Sequence, residues 1–229
     1  MIELPCRVCG GEDFVQYDVL WDELIQDWEL SETEVEYINV QQGYCCTLCG
    51  NNLRSIALAD AIIRTIGGKG NLNNFVLEGA VSSLKLLEVN EAGGLSPYLS
   101  KMPCHYLAQY PEYDMMKLNL ADNTFDLVVH SDTLEHVSNP IVALKECYRV
   151  LRDNGTCLFT VPILVDKTSR SRNGLKNSFH GNDKTMSSDY LVHTEFGSDI
   201  WTYAMRAGFR NVELQGFHYP SAIVVSAKK

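Results

Sequence analysis

Nothing in the 229 residues approaches the roughly twenty consecutive apolar residues of a membrane span. The first residues also lack the charged-then-apolar pattern of a secretory leader, so the expected compartment is cytoplasmic and no membrane partner is expected. Positive charge is scarce: 19 Lys and Arg face 29 Asp and Glu, for a net charge of −10. Such a surface repels phosphate backbones, and a nucleic-acid partner would need a local basic patch. The visible basic cluster, Arg170-Ser171-Arg172 with Lys167 and Lys176, reads as a solvated loop. Aromatic and basic residues are not interleaved, which also disfavours a nucleic-acid substrate. Hydrophobic content of 45% with 21% charged residues is ordinary for a globular chain. The length suits one α/β domain with a small accessory element.

Cysteine is present but unevenly placed, with five of the eight in the first fifty residues. Cys6-Arg7-Val8-Cys9-Gly10 and Cys46-Thr47-Leu48-Cys49-Gly50 are matching knuckles. Each spacing brings two thiolates onto one ion, and each Gly lets the turn go left-handed so that backbone amides face the sulfurs. Four thiolates in tetrahedral array suit structural Zn2+, with Cys6, Cys9, Cys46 and Cys49 as ligands. Cys45 could replace Cys46 at a less usual spacing. A disulfide fits a cytosolic chain poorly, and a redox pair would not require a duplicate. Cys147 and Cys157 read as small core hydrophobes.

Between the knuckles, Trp21, Leu24, Ile25 and Trp28 share one helical face, and Ser31 with Glu34 matches a capping box before a second helix. Asn52-Leu53-Arg54-Ser55 opens a further helix with Ile56, Ala59, Ile63 and Ile66 roughly in phase. Gly67-Gly68-Lys69-Gly70 reads as a linker, giving a zinc module over residues 1–66 and a main domain over 71–229.

The main domain is organised by its middle. Phe125 to Val129 fits a strand buried on both faces. Asn139-Pro140 starts a helix whose Ile141, Leu144, Tyr148 and Leu151 form one stripe, and Asn154-Gly155 is expected to stop it. Thr156 to Val161 is a second buried strand. Strand, helix and strand with short connections make a βαβ unit, whose ligands bind beyond the carboxyl ends of the strands. His130-Ser131-Asp132 and Pro162 then lie at a site mouth. Lys85 to Val89 and Tyr106 to Tyr110 read as earlier strands. Ser198 to Ala207 reads as a helix with Ile200, Trp201, Ala204 and Met205 inward, and Val212 to Phe217 with Ala222 to Ala227 as a closing strand pair.

Asp114, Asp122-Asn123-Thr124-Phe125-Asp126, Leu134-Glu135-His136-Val137, Ala143-Leu144 through Arg149-Val150-Leu151, and Phe159-Thr160-Val161-Pro162 occur in series. That series resembles the class I S-adenosylmethionine (SAM) dependent methyltransferases of the small-molecule type. A cysteine knuckle followed by an Arg-containing helix is similar to a zinc ribbon found before some of them. The resemblance implies a Rossmann-like, mostly parallel sheet with a terminal antiparallel hairpin, plus the small N-terminal ribbon. It implies SAM as cofactor and a small-molecule acceptor, a saccharide-linked metabolite among the candidates.

The resemblance also implies site residues. Glu88-Val89-Asn90-Glu91-Ala92-Gly93-Gly94 takes the place of a glycine-rich cofactor turn in which only the last glycine is kept, with Asn90 and Ala92 standing in for the others. Gln109 replaces the acid that normally takes the ribose hydroxyls and lacks its charge assistance. Asp114 aligns with the acceptor for the adenine amino group, Met115 flanks the ring, and Ser131 and Asp132 complete the cofactor set. The link from Gln109 to Asp114 is short, so a helix usual in this fold is trimmed. Residues 163–192 read as a lid carrying His180, and His193 and Glu195 as its anchors; His136 and His180 are the candidate bases. A non-catalytic zinc scaffold with a decayed cofactor site is the competing expectation, resting on Asn90-Glu91-Ala92 and Gln109.

Overall fold

The computed structural model describes residues 5–78, 81–179 and 188–229. The N-terminal part begins with β1 (Phe14–Gln16), α1 (Asp22–Asp27), α2 (Glu32–Gly43) and β2 (Tyr44–Cys46), with β1 and β2 antiparallel. The capping box forms as the sequence indicates. Ser31 Oγ accepts from the Glu34 amide, and Glu34 Oε2 accepts from the Ser31 amide at 2.7 Å. α3 (Leu53–Thr65) follows at once, capped by Asn52, whose Oδ1 accepts from the Ser55 amide at 3.0 Å. Every residue from Leu53 to Ile63 is buried.

Burial of α3 from Leu53 to Ile63 joins the N-terminal part to the core of the main domain. One apolar cluster runs from Cys6, Val8 and Cys46 through Ile56, Ile62 and Ile63 to Leu86, Leu127, Leu158 and Val224. α3 thus packs as a layer against the main sheet. The expected linker leads into α4 (Leu72–Leu77), capped by Asn71 and burying Leu72, Phe75 and Val76.

β3 (Leu86–Val89), α5 (Ser96–Leu99), β4 (His105–Ala108), β5 (Phe125–Ser131), α6 (Pro140–Val150) and β6 (Leu151–Thr160) come next. β7 (Ile163–Leu164), β8 (Arg170–Ser171), β9 (Thr194–Gly197), α7 (Trp201–Ala207), β10 (Asn211–His218) and β11 (Ala222–Lys228) complete the order. Among the described residues the main sheet has six strands, in the order β10-β11-β6-β5-β3-β4. β6, β5, β3 and β4 are mutually parallel, while β11 and β10 run antiparallel at the end. The mostly parallel sheet and its terminal hairpin are therefore present. Between β4 and β5 no named helix or strand intervenes.

Two local expectations are corrected. α6 ends at Val150, and β6 starts immediately, so Asn154 (φ 63°) and Gly155 lie inside the strand range instead of stopping the helix. Ile200 and Ala204 are buried as expected, but Trp201 and Met205 are exposed on the outer face of α7. In the stretch expected as a lid, the described residues carry regular structure. β7, β9 and β8 form a three-stranded sheet, Arg172 is buried, and Phe179 bridges to Leu191. Residues 180–187 lie outside the described residues.

Candidate functional site

Chain order reverses direction across the sheet between β3 and β5: β3 leads outward to β4, and β5 leads the other way to β6. At such a switch point the connections leave in opposite directions and a crevice opens beyond the carboxyl ends of the strands. A cavity of about 550 Å³ lies there. That size is within the range of small-molecule sites. Asn90 and Glu91 follow β3, Gln109 and Tyr110 follow β4, and Ser131 to Thr133 end β5. Tyr113 to Met116 form one wall, and His136 to Ser138 with Asp189, Tyr190 and His193 form another.

Of the residues singled out in the sequence, Asn90, Gln109, Asp114, Met115, Ser131, Asp132 and His136 meet in this cavity. Asn90 sits at φ 54°, the left-handed region where a glycine is usual, and Asn tolerates it better than most residues. Its Oδ1 accepts from the Tyr110 amide at 2.9 Å, tying the β3 and β4 turns together. Asp114 Oδ1 accepts from the Met116 amide at 2.8 Å, and Ser131 Oγ bonds Thr160 Oγ1 at 2.8 Å.

Glu88, Gly93 and Gly94 do not line this cavity. Glu88 is wholly buried and its carboxylate is spent internally. Oε1 accepts from the Ala92 amide at 2.8 Å, and Oε2 accepts from Ser96 Oγ at 3.2 Å and His105 Nε2 at 2.6 Å. The acid therefore shapes the turn after β3 from beneath. The two glycines face α3 instead: a Cβ on Gly94 would meet Asn51 Oδ1 at 2.3 Å, and one on Gly93 would meet Ser55 Oγ at 2.7 Å. The Asn51 and Ser55 side chains of the N-terminal part thus come close to the turn after β3.

Among the candidate bases, His180 lies outside the described residues. His136 Nδ1 is 3.1 Å from the Leu191 carbonyl, which can only accept, so Nδ1 carries the proton and a neutral ring keeps its lone pair on Nε2. Nε2 lies 3.8 Å from Glu135 Oε1. The expected anchors do tie down their segment. The His193 amide donates to the Glu135 carbonyl at 2.8 Å, and Glu195 pairs with both Arg170 and Arg172. Arg172 also holds Asp27 at 2.8 Å and lies over the Trp28 ring.

The four cysteines form the second candidate centre. Cys6, Cys9, Cys46 and Cys49 place all their sulfurs within 4.8 Å of one another, with Cys6–Cys49 and Cys9–Cys46 at 3.7 Å. A tetrahedral ion with metal–sulfur bonds of ~2.3 Å needs sulfurs ~3.8 Å apart, so the set fits a metal. Cys45 stands outside the group, its thiol directed at the Gln42 carbonyl. Gly10 (φ 85°) and Gly50 (φ 72°) are left-handed, and their amides close equivalent turns on the Cys6 and Cys46 carbonyls. Burial pushes the Cys9 thiol up to about 11. Burial raises the Cys46 thiol, but hydrogen bonds from the Cys49 and Leu48 amides and from the Cys9 and Cys49 thiols together bring it below its ordinary value.

The sequence reading did not single out Glu91, Tyr110, Tyr113, Met116, Thr133, Val137, Ser138, Asp189 or Tyr190 for the cavity. Most flank residues it did name, so proximity in the chain was the available signal. Asp189 and Tyr190 arrive from a distant turn, and no local pattern marks them.

Residues 95–159, from the turn after β3 to the end of β6, match a methyltransferase domain family. Two probable S-adenosylmethionine-dependent methyltransferases of Mycobacterium tuberculosis strains are 30% identical over 122 residues, which is 51% of this chain and 40% of theirs. A third from Mycolicibacterium smegmatis is 35% identical over 81 residues, covering 33% of this chain and 31% of that protein. The chain thus spans less than half the length of these curated relatives. Among solved structures, a SAM-dependent methyltransferase of Thermotoga maritima, described as a possible histamine N-methyltransferase, aligns with TM-score 0.40 and 16% identity over 67% of this chain and 86% of its own. One from Mesorhizobium loti gives 0.43 and 13% over 65% and 92%. At these scores the structural likenesses support neither mechanism nor substrate for this chain.

Proposed function

We propose that this chain is a SAM-dependent methyltransferase acting on a small molecule, with a structural Zn2+ held by Cys6, Cys9, Cys46 and Cys49. The observation that carries the reading is the meeting of Asn90, Gln109, Asp114, Met115 and Ser131 around one cavity at the switch point. When bound, SAM supplies a methyl group on a sulfonium, transferred by in-line displacement. This chain's residues would bind, orient and exclude water, which is most of what such a reaction asks of a protein. Asp114 and Gln109 would hold the adenosine end, and the left-handed Asn90 turn would admit the rest without a bulky residue in the way. His136 is the base for an acceptor that must lose a proton, because its Nε2 keeps a lone pair while Glu135 stabilises the imidazolium that forms.

The charged residues of the cavity wall, Glu91, Asp114, Asp132 and Asp189, are all acidic among the described residues. That lining favours an uncharged or cationic acceptor, a saccharide among them, over a polyphosphate. The metal site has four protein ligands and no open position, so its role would be to hold structure.

Release of S-adenosylhomocysteine from SAM over a panel of sugars and amines tests the activity, with zinc content measured on the same preparation. No release with any acceptor, together with no binding of SAM, would remove the reading. On an identified hydroxyl acceptor, His136→Gln should lower turnover by about 10²–10⁴-fold and abolish the acidic limb of the pH profile.

A further inference from the structure

We infer that Arg54, in the first turn of α3, is a positioning residue for the strand-mouth site, acting by holding Asp132. The inference rests on the methyltransferase reading and adds to it a part for the N-terminal module. Arg54 lies five residues beyond the knuckle ligand Cys49, and its guanidinium is almost enclosed, with a side-chain exposure of 10%. Its Nη1 donates to Asp132 Oδ2 and, at 2.7 Å, to Gln42 Oε1. Gln42 closes the triangle by donating from Nε2 to Asp132 Oδ2 at 3.4 Å. Asp132 is thus gripped from the end of α2 and the start of α3, two elements that enclose the second cysteine knuckle.

Asp132 needs a grip. It follows the last residue of β5 at φ 44°, a left-handed conformation that costs an L residue strain. Its amide is fixed to the Thr160 carbonyl at 3.0 Å, and its side chain borders the cavity. The same helix start lies against the other wall of the switch point, where the Asn51 and Ser55 side chains come close to Gly94 and Gly93. One short segment, 51–55, therefore braces both turns that frame the cavity.

Packing alone does not account for an arginine here. Enclosing a guanidinium carries a large desolvation cost, and its Nε finds no hydrogen-bond partner among the described residues. An apolar residue would dock α3 more cheaply. What the arginine adds is a directed bond to a carboxylate at the site.

The test is a double-mutant cycle on S-adenosylhomocysteine affinity, using Arg54→Gln, Asp132→Asn and both together in full-length, zinc-loaded protein. Each single variant should raise Kd by about tenfold, the scale of one charged hydrogen bond. The double variant should fall within about twofold of the worse single, because both remove one interaction. Zinc content should stay at the parent's level, which separates a positioning role from collapse of the module. Arg54→Lys, which keeps the charge and loses the fork, should lie between parent and Arg54→Gln, and it carries the test if Arg54→Gln does not fold. Single variants within about twofold of parent, or effects that multiply in the double variant, would overturn the inference. Should the parent itself bind no S-adenosylhomocysteine, the methyltransferase reading fails and hydrogen exchange decides the grip. Amides 131–134 should then exchange faster in Arg54→Lys than in parent while 194–197 stay unchanged, and equal exchange at 131–134 would refute it.

Discussion

The four-cysteine cluster and the strand-mouth cavity are built in opposite ways. The cluster draws its ligands from two pentapeptides of one Cys-x-x-Cys-Gly pattern, each closed by a left-handed glycine, and its sulfurs converge on a point. The cavity draws its walls from residues spread between Asn90 and His193, and only the order of strands in the sheet brings them together. A metal site can therefore be specified by local spacing, whereas a strand-mouth site is specified by topology. The two are still not independent, because α3 joins the knuckle to the core and to both cavity turns.

The largest effect should come from breaking the local site. Cys9→Ser or Cys49→Ser should abolish zinc binding, whose apparent free energy in small zinc modules is about 10–16 kcal/mol. Since Cys6 and Cys46 share a core with Leu86 and Leu158, thermal unfolding of the whole chain should drop, not just that of the first fifty residues. Elemental analysis with calorimetry reads both, and an unchanged melting profile in a zinc-free variant would show the module to be separable.

On the topological side, Glu88→Ala should cost about 1–3 kcal/mol in urea unfolding, because it strands the buried Ala92 amide and the half-buried Ser96 and His105 side chains. A loss below ~1 kcal/mol would mean the carboxylate is not committed to the turn.

A smaller effect is pH-dependent. Burial pushes the His130 imidazole down to about 3, with the Glu135 charge opposing weakly; its ring stacks on Phe159 beside Cys147 and Cys157. A folded-state value below the ordinary 6.5 means the unfolded chain binds the proton more readily. The contribution to stability is present above about 6.5 and is lost as pH falls toward 3, by roughly 2 kcal/mol between pH 6.5 and 5. His130→Leu should flatten that part of the urea-midpoint profile, and an unaltered slope would assign the acid sensitivity elsewhere.

How much could be read in advance follows the same division. The cysteine knuckles, the Ser31–Glu34 capping box, the Asn139-Pro140 helix start and β5 are signalled within a few residues, and each is where the sequence indicates. The β7-β9-β8 sheet was not legible, since its strands span two to four residues and pair across more than twenty positions. Polar loop composition concealed that Arg170 and Arg172 are consumed by Glu195. Glu88 lies in a strand as the sequence indicates, but its direction was unreadable, because a strand residue's neighbours do not say which partners meet its side chain. α4 was hidden behind the Gly67–Gly70 linker, although Asn71 with Leu72, Phe75 and Val76 is a capped apolar stripe. Arg54 looked like one residue of an amphipathic helix, and only the fold places it against Asp132.

The central claim is that a SAM-type cofactor occupies the crevice between the β3 and β5 ends. Calorimetric titration of the zinc-loaded chain with S-adenosylhomocysteine, alongside Asp114→Ala, tests it most directly. Parent protein should bind at one site, and Asp114→Ala should weaken binding by about 1–3 kcal/mol, the value of one hydrogen bond to a charged group, with folding unchanged. No binding heat to the parent at millimolar ligand, or equal affinity in Asp114→Ala, would contradict the account.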